Sequence, residues 1–145
     1  MPIPISDEEI KKILTENTRI AVVGLSPVPA RPSYGVTRYM MNHGYEIFGI
    51  RPQSPPEILG RPMVNSLSEL SEPVDIIDVF RSSDAIPELV DEIEVYMKTS
   101  LLRPPKVLWL QEGVTHPQAE EKARQLGLKV ISNRCILKEH ARLIG

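Results

Sequence analysis

The chain has 145 residues, the length of one domain, and a chain of that size buries roughly 68–70% of its unfolded surface in one core. Apolar residues at 41% and charged residues at 25% lie near globular averages and exclude a disordered or fibrous chain. Seventeen basic against nineteen acidic residues leave a formal charge of −2, which argues against a nucleic-acid or anionic-membrane binder. No apolar run approaches the roughly 18 residues of a bilayer span. The opening MPIPISDEEIKK has neither a basic nor an apolar leader region, so it does not read as a secretory signal. A single cysteine cannot form an intrachain disulfide and fits a reducing, cytoplasmic setting.

The elements follow in chain order. Ser6 and Glu9 form a capping box for a helix from Asp7 to Leu14, with Ile10, Ile13 and Leu14 on one face. Arg19–Gly24 is a short, continuous apolar run rich in β-branched residues, the pattern of a strand buried on both faces. Glu46–Ile50, Val74–Phe80, Lys106–Leu110 and Lys129–Ser132 repeat that pattern. Between them, Val36, Tyr39 and Met40 mark a helix stopped by Gly44. Ile86, Leu89, Val90, Ile93 and Met97 mark a longer one, capped by Ser83 or Asp84 with Pro87 in its first turn. Thr115 and Gln118 form a second capping box ahead of Ala119, Ala123 and Leu126, and Gly127 supplies the stop. A last helix spans about Ile136 to Leu143. Strands alternating with helices predict one α/β domain over residues 1–145: a doubly wound, Rossmann-like, mostly parallel sheet of about five strands with helices on both faces.

Six of the fourteen prolines gather where strands end, Pro27, Pro29 and Pro32 after the first and Pro52, Pro55 and Pro56 after the second, whereas Pro104 and Pro105 precede the fourth strand as rigid spacers. Ligands of open α/β sheets bind at those carboxyl ends, and stiffened loops there have less entropy to lose; each proline taken alone serves equally as a turn residue. In the first loop Gly24 lets the chain turn close to a ligand. Ser26 and Ser33 offer hydroxyls, Ser33 as the cap of the next helix, and Arg31 offers a planar cation suited to phosphate. The loop lacks the G-x-G-x-x-G fingerprint and the Walker A pattern. The second strand ends Arg51-Pro52-Gln53, with no carboxylate for a ribose hydroxyl, so Arg51 favours a phosphorylated ribose, as in NADP or coenzyme A.

Several segments then carry a family resemblance. They are Ile20–Ser26, Arg31-Pro32-Ser33-Tyr34, Glu57-Ile58-Leu59-Gly60, Glu72–Arg81, Val107–Gly113, and Asn133-Arg134-Cys135 followed by Glu139-His140. In this order, over nearly the whole chain, they resemble the small stand-alone CoA-binding proteins, a family similar to the CoA-binding domain of the succinyl-CoA synthetase alpha subunit. The resemblance implies coenzyme A or an acyl-CoA held in an extended pose along the strand ends. Gly24, Ser26, Arg31, Ser33 and Tyr34 would face its diphosphate, and Arg51, Pro52 and Gln53 would border the adenosine and its 3′-phosphate. Val79, Phe80 and Arg81 would form the next wall, and Gln111 and Gly113 would flank the pantetheine arm. Two positions depart from the family pattern: Gly49-Ile50-Arg51-Pro52 stands where Pro-Val-Asn-Pro is usual, and Asn133 stands where Asp often precedes Arg-Cys.

Chemistry beyond binding has thin support. Cys135 and His140 are five apart, which is not one helix face, so they touch only if Cys135 lies before the helix; the plainer reading has Cys135 as a small buried residue and His140 capping or packing the helix. His43, His116 and His140 are scattered, which argues against a zinc site. Asp75 and Asp78 point to opposite faces of a strand, Trp109 reads as core, and Arg81 sits at a strand tip as a ligand contact or a surface ion pair. The reading is a coenzyme A binding module without catalysis of its own. The alternatives are an NADP-linked oxidoreductase, a Cys135-dependent acyl-CoA enzyme, or a regulatory subunit handing an acyl-CoA signal to a protein partner; a homo-oligomer is left open.

Overall fold

The computed structural model describes residues 5–145; the first four residues of the stretch read for a leader lie outside the described residues. The elements are α1 (Asp7–Glu16), β1 (Arg19–Val23), α2 (Pro32–Asn42), β2 (Glu46–Ile50), β3 (Glu57–Ile58), β4 (Arg61–Val64), β5 (Ile76–Val79), α3 (Ile86–Thr99), β6 (Val107–Leu110), α4 (Pro117–Gln125), β7 (Lys129–Ile131) and α5 (Ile136–Leu143). The sheet runs β3-β4-β2-β1-β5-β6-β7, and every pairing is parallel except β3 with β4. Chain order therefore reverses at β1, between β2 on one side and β5 on the other, the switch point at which such sheets open a crevice.

Strand alternation divides the core. Ala21 and Val23 of β1, Ile77 and Val79 of β5, and Leu108 and Leu110 of β6 face a cluster with α3 and α4. Ile20 and Val22, Ile76, and Val107 and Trp109 face a second cluster with α1, α2 and α5. Both faces being covered explains why these strands read as unbroken apolar runs. Trp109 is fully buried, and its indole N–H donates to the Arg134 carbonyl at 2.8 Å. Asp75 accepts from Arg103 and from the Arg19 amide at the opposite end of the sheet from the cleft described below.

Seven strands stand where about five were expected. The extra pair is a hairpin turned by Leu59 at φ 54° and Gly60 at φ 74°. A leucine in the left-handed region is unusual, and Pro62 lies within β4, so neither residue signals a hairpin strand. The caps also differ. Ser33 does not cap α2, because Pro32 starts the helix and Arg31 holds the cap position without a side-chain bond. Ala85, after a short 3-10 turn, precedes α3, and the Ser83 hydroxyl instead accepts from the Thr115 amide at 3.0 Å. At α4 the cap lies one residue later than expected and its reciprocal partner two residues later. His116 Nδ1 accepts from the Ala119 amide at 3.2 Å, and Glu120 accepts from the His116 amide at 2.8 Å.

Candidate functional site

The loops after β1, β2, β5, β6 and β7 enclose a cleft of about 930 Å³ at the carboxyl edge of the sheet. Its floor lies at the switch point. Gly24 leaves β1 at φ 89°, and a Cβ there would stand 2.4 Å from the Phe80 carbonyl oxygen at the end of β5. Only glycine accepts both the dihedral and the approach. The amides of Gly24 and Phe80 continue the ladder, donating to Ile50 and Val23 at 2.8 and 2.9 Å, so the two strand ends are held in register beneath the opening.

One wall is the β1–α2 loop. The buried Ser33 hydroxyl accepts from the Ser26 amide at 2.9 Å, and the Ser26 hydroxyl accepts from the Val28 amide at 3.1 Å. A hydroxyl carries one donor besides its lone pairs, so both serines retain an O–H for a ligand. Arg31, Arg51 and Arg81, from three different loops, also line the cleft. All three are exposed, and none makes an ion pair among the described residues. Three guanidiniums and two hydroxyl donors at one opening have the chemistry suited to an anion.

The opposite wall rests on a buried polar chain. Gln111 Nε2 donates to Asp78 Oδ1, and Gln111 Oε1 accepts from the Ile136 amide at 3.4 Å. Gln111 thereby joins β5 and β6 to the start of α5, whose cap residue, Cys135, is half-buried and lines the cleft. Asp78 is 1% exposed, and burial pushes its carboxyl up to about 7 against the opposing pull of the Gln111 bond. His140 faces away from this chemistry. Its Nδ1 shares a 2.9 Å hydrogen bond with the Tyr39 hydroxyl, and burial, then the nearby His43, lowers its pKa.

Of the residues singled out in the sequence, Gly24, Ser26, Arg31, Ser33, Arg51, Pro52, Phe80, Arg81 and Gln111 come together around the cleft. Four lie outside its lining. Val79 is fully buried in the core, because strand alternation turns it beneath the sheet beside Ile77. Tyr34 packs on the α1–α2–α5 side with Arg38 6.0 Å from its ring. Gln53 and Gly113 occupy left-handed turns, their amides donating to Asn65 at 3.1 Å and Asn133 at 2.7 Å. The lining also includes Val28, Val36, Ser82, Ala85, Glu112 and Val114, which sequence reasoning did not single out. The apolar members carry no chemical signature; Glu112, inside the quoted Val107–Gly113 segment, was the one with a usable signal. Among the described residues no three His, Cys, Asp or Glu side chains gather as a metal site, and no helix is long and apolar enough to cross a membrane.

An uncharacterised protein of Bacillus subtilis, YneT, is 39% identical over 136 residues, which is 94% of this chain and 95% of that one. A hypothetical protein from Pyrococcus horikoshii superposes with a TM-score of 0.88 at 32% identity, covering 100% of this chain and 99% of that one. A Thermus thermophilus protein gives 0.87 at 35% identity, covering 97% and 100%. Residues 18–141 match the model of the CoA binding domain, and the chain belongs to that family.

Proposed function

We propose that the cleft binds coenzyme A or an acyl-CoA, with the diphosphate at the β1–α2 loop, the 3′-phosphate beside Arg51 and the pantetheine arm running over Gln111 toward Cys135. Membership of the family supports coenzyme A as the ligand. The observation that carries the placement is the convergence on one cleft at the switch point of three arginines without an ion pair among the described residues and two spare hydroxyl donors. No side chain caps α2, so its start, beside Ser26 and Arg31, adds backbone donors and a favourable dipole for an anion. The protein acts in this reading as a cytoplasmic binding module. Catalysis by a Cys135–His140 pair gains no support, since His140 is held against Tyr39 and Cys135 has no hydrogen-bonded base among the described residues.

Calorimetric titration with coenzyme A, dephospho-coenzyme A, NAD and NADP tests the placement. Saturable coenzyme A binding, weakened about tenfold or more for dephospho-coenzyme A in the unmodified protein but not in Arg51→Ala, is the expected result. Binding of NADP with coenzyme A silent would replace this reading with the oxidoreductase one.

A further inference from the structure

Beyond the main cleft, a second hollow of about 540 Å³ opens over the ends of β6 and β7. Glu112 and Cys135 line both spaces, so the hollow begins where the arm of a ligand lying along the cleft would end. Its remaining lining is Ser132, Asn133, Arg134, Lys138 and Glu139, without one aliphatic or aromatic side chain. An alkyl chain placed there would strip water from these groups and return no hydrogen bonds.

The cations of the hollow are unequally satisfied. Lys138 is bound to Glu112 at 2.7 Å. Arg134 meets Glu139 only at 3.5 Å and donates no side-chain hydrogen bond among the described residues. Glu139 is meanwhile claimed by Arg142, which also forms a bidentate pair with Asp7 at 2.9 Å. One carboxylate is therefore shared by two guanidiniums, and the Arg134 fork keeps donors for a further acceptor. The Arg134 backbone is fixed, because its carbonyl takes the Trp109 indole hydrogen bond and its amide donates to Leu110 at 3.3 Å. Asn133 adds an amide group whose oxygen alone is used, by Gly113.

Building on the coenzyme A reading above, we propose that the preferred ligand is a thioester whose short acyl chain ends in a carboxylate, with that carboxylate seated in the second hollow against Arg134. The thioester lies at the junction marked by Glu112 and Cys135, and the hollow selects for a charged acyl end.

Two thioesters of equal chain length isolate the claim. Butyryl-CoA and succinyl-CoA differ in the terminal carboxylate, and free coenzyme A serves as the reference in the same titration. The expected result is succinyl-CoA binding about tenfold tighter than butyryl-CoA, with the ratio falling toward one in Arg134→Gln. Lys138→Gln, on an exposed position, provides a second variant; it should narrow the ratio less than Arg134→Gln does. Equal or tighter binding of butyryl-CoA, or a preference that survives Arg134→Gln, overturns the inference while leaving coenzyme A binding intact. Failure of all three ligands to bind overturns the coenzyme A reading and this inference together.

Discussion

Asp78 is the residue at which the cleft and the core compete. Its carboxyl is 1% exposed, with Gln111 as its hydrogen-bond partner and no ion pair among the described residues. Burial raises its pKa from 3.8 to about 7, so the folded protein holds a proton there that the unfolded chain releases at lower pH. Between those two values the native state binds more protons, and the stability contributed falls as pH rises through about 7. From pH 5 to pH 8 that loss amounts to about 2–3 kcal/mol. Asp78→Asn keeps an acceptor for Gln111 and removes the titration. Urea unfolding should therefore show the variant's stability relative to the unmodified protein rising by about 2–3 kcal/mol from pH 5 to pH 8. A variant that tracks the unmodified protein across that range would show Asp78 ionised in the native state.

At the scale of elements, one hydroxyl of the β1–α2 loop holds the fold together and, in the proposed reading, also faces the ligand. Ser33, on the first turn of α2, satisfies the buried amide of Ser26 seven residues earlier. Ser33→Ala orphans that amide, which costs about 1–3 kcal/mol, and also removes a donor from the cleft. Urea unfolding and titration of the same variant should show both losses; unchanged coenzyme A affinity would place the ligand away from this loop. The sequence marked that serine, Arg31 and Gly24 as one group at the sheet edge because their chemistry is local, and all three line the cleft. It misassigned Ser33 as a cap because Pro32, one residue earlier, takes the first helical position, a choice made by loop geometry rather than by residue type. Five of the six parallel strands were legible since two-sided burial leaves unbroken apolar runs. The β3–β4 hairpin was not, because its strands have two and four residues and its turn is Leu-Gly. Val79 was placed on the wall by its position in a motif, and the period of two in β5 turns it into the core.

At the scale of the whole molecule, charge is distributed against the average. The chain carries −2 overall, and a polyanionic ligand approaching it meets weak net repulsion. The cleft reverses this locally, since Arg31, Arg51 and Arg81 lie there unpaired, whereas most of the ion pairs, including those of Arg19, Arg61, Lys122 and Arg142, lie elsewhere on the surface. Three guanidiniums without a carboxylate partner among the described residues therefore give the sheet's carboxyl edge a local positive potential. Such a field acts through exposed side chains and is screened by salt, with a Debye length of about 10 Å at 0.1 M falling to about 3 Å at 1 M. Coenzyme A affinity should therefore fall about tenfold between roughly 0.05 and 0.5 M sodium chloride, and removing one arginine should flatten that dependence as well as weaken binding. Titrations of the unmodified protein and Arg81→Ala over that range provide the measurement. A salt-independent affinity would mean that the ligand is held by apolar contact and neutral hydrogen bonds, with the arginines as bystanders.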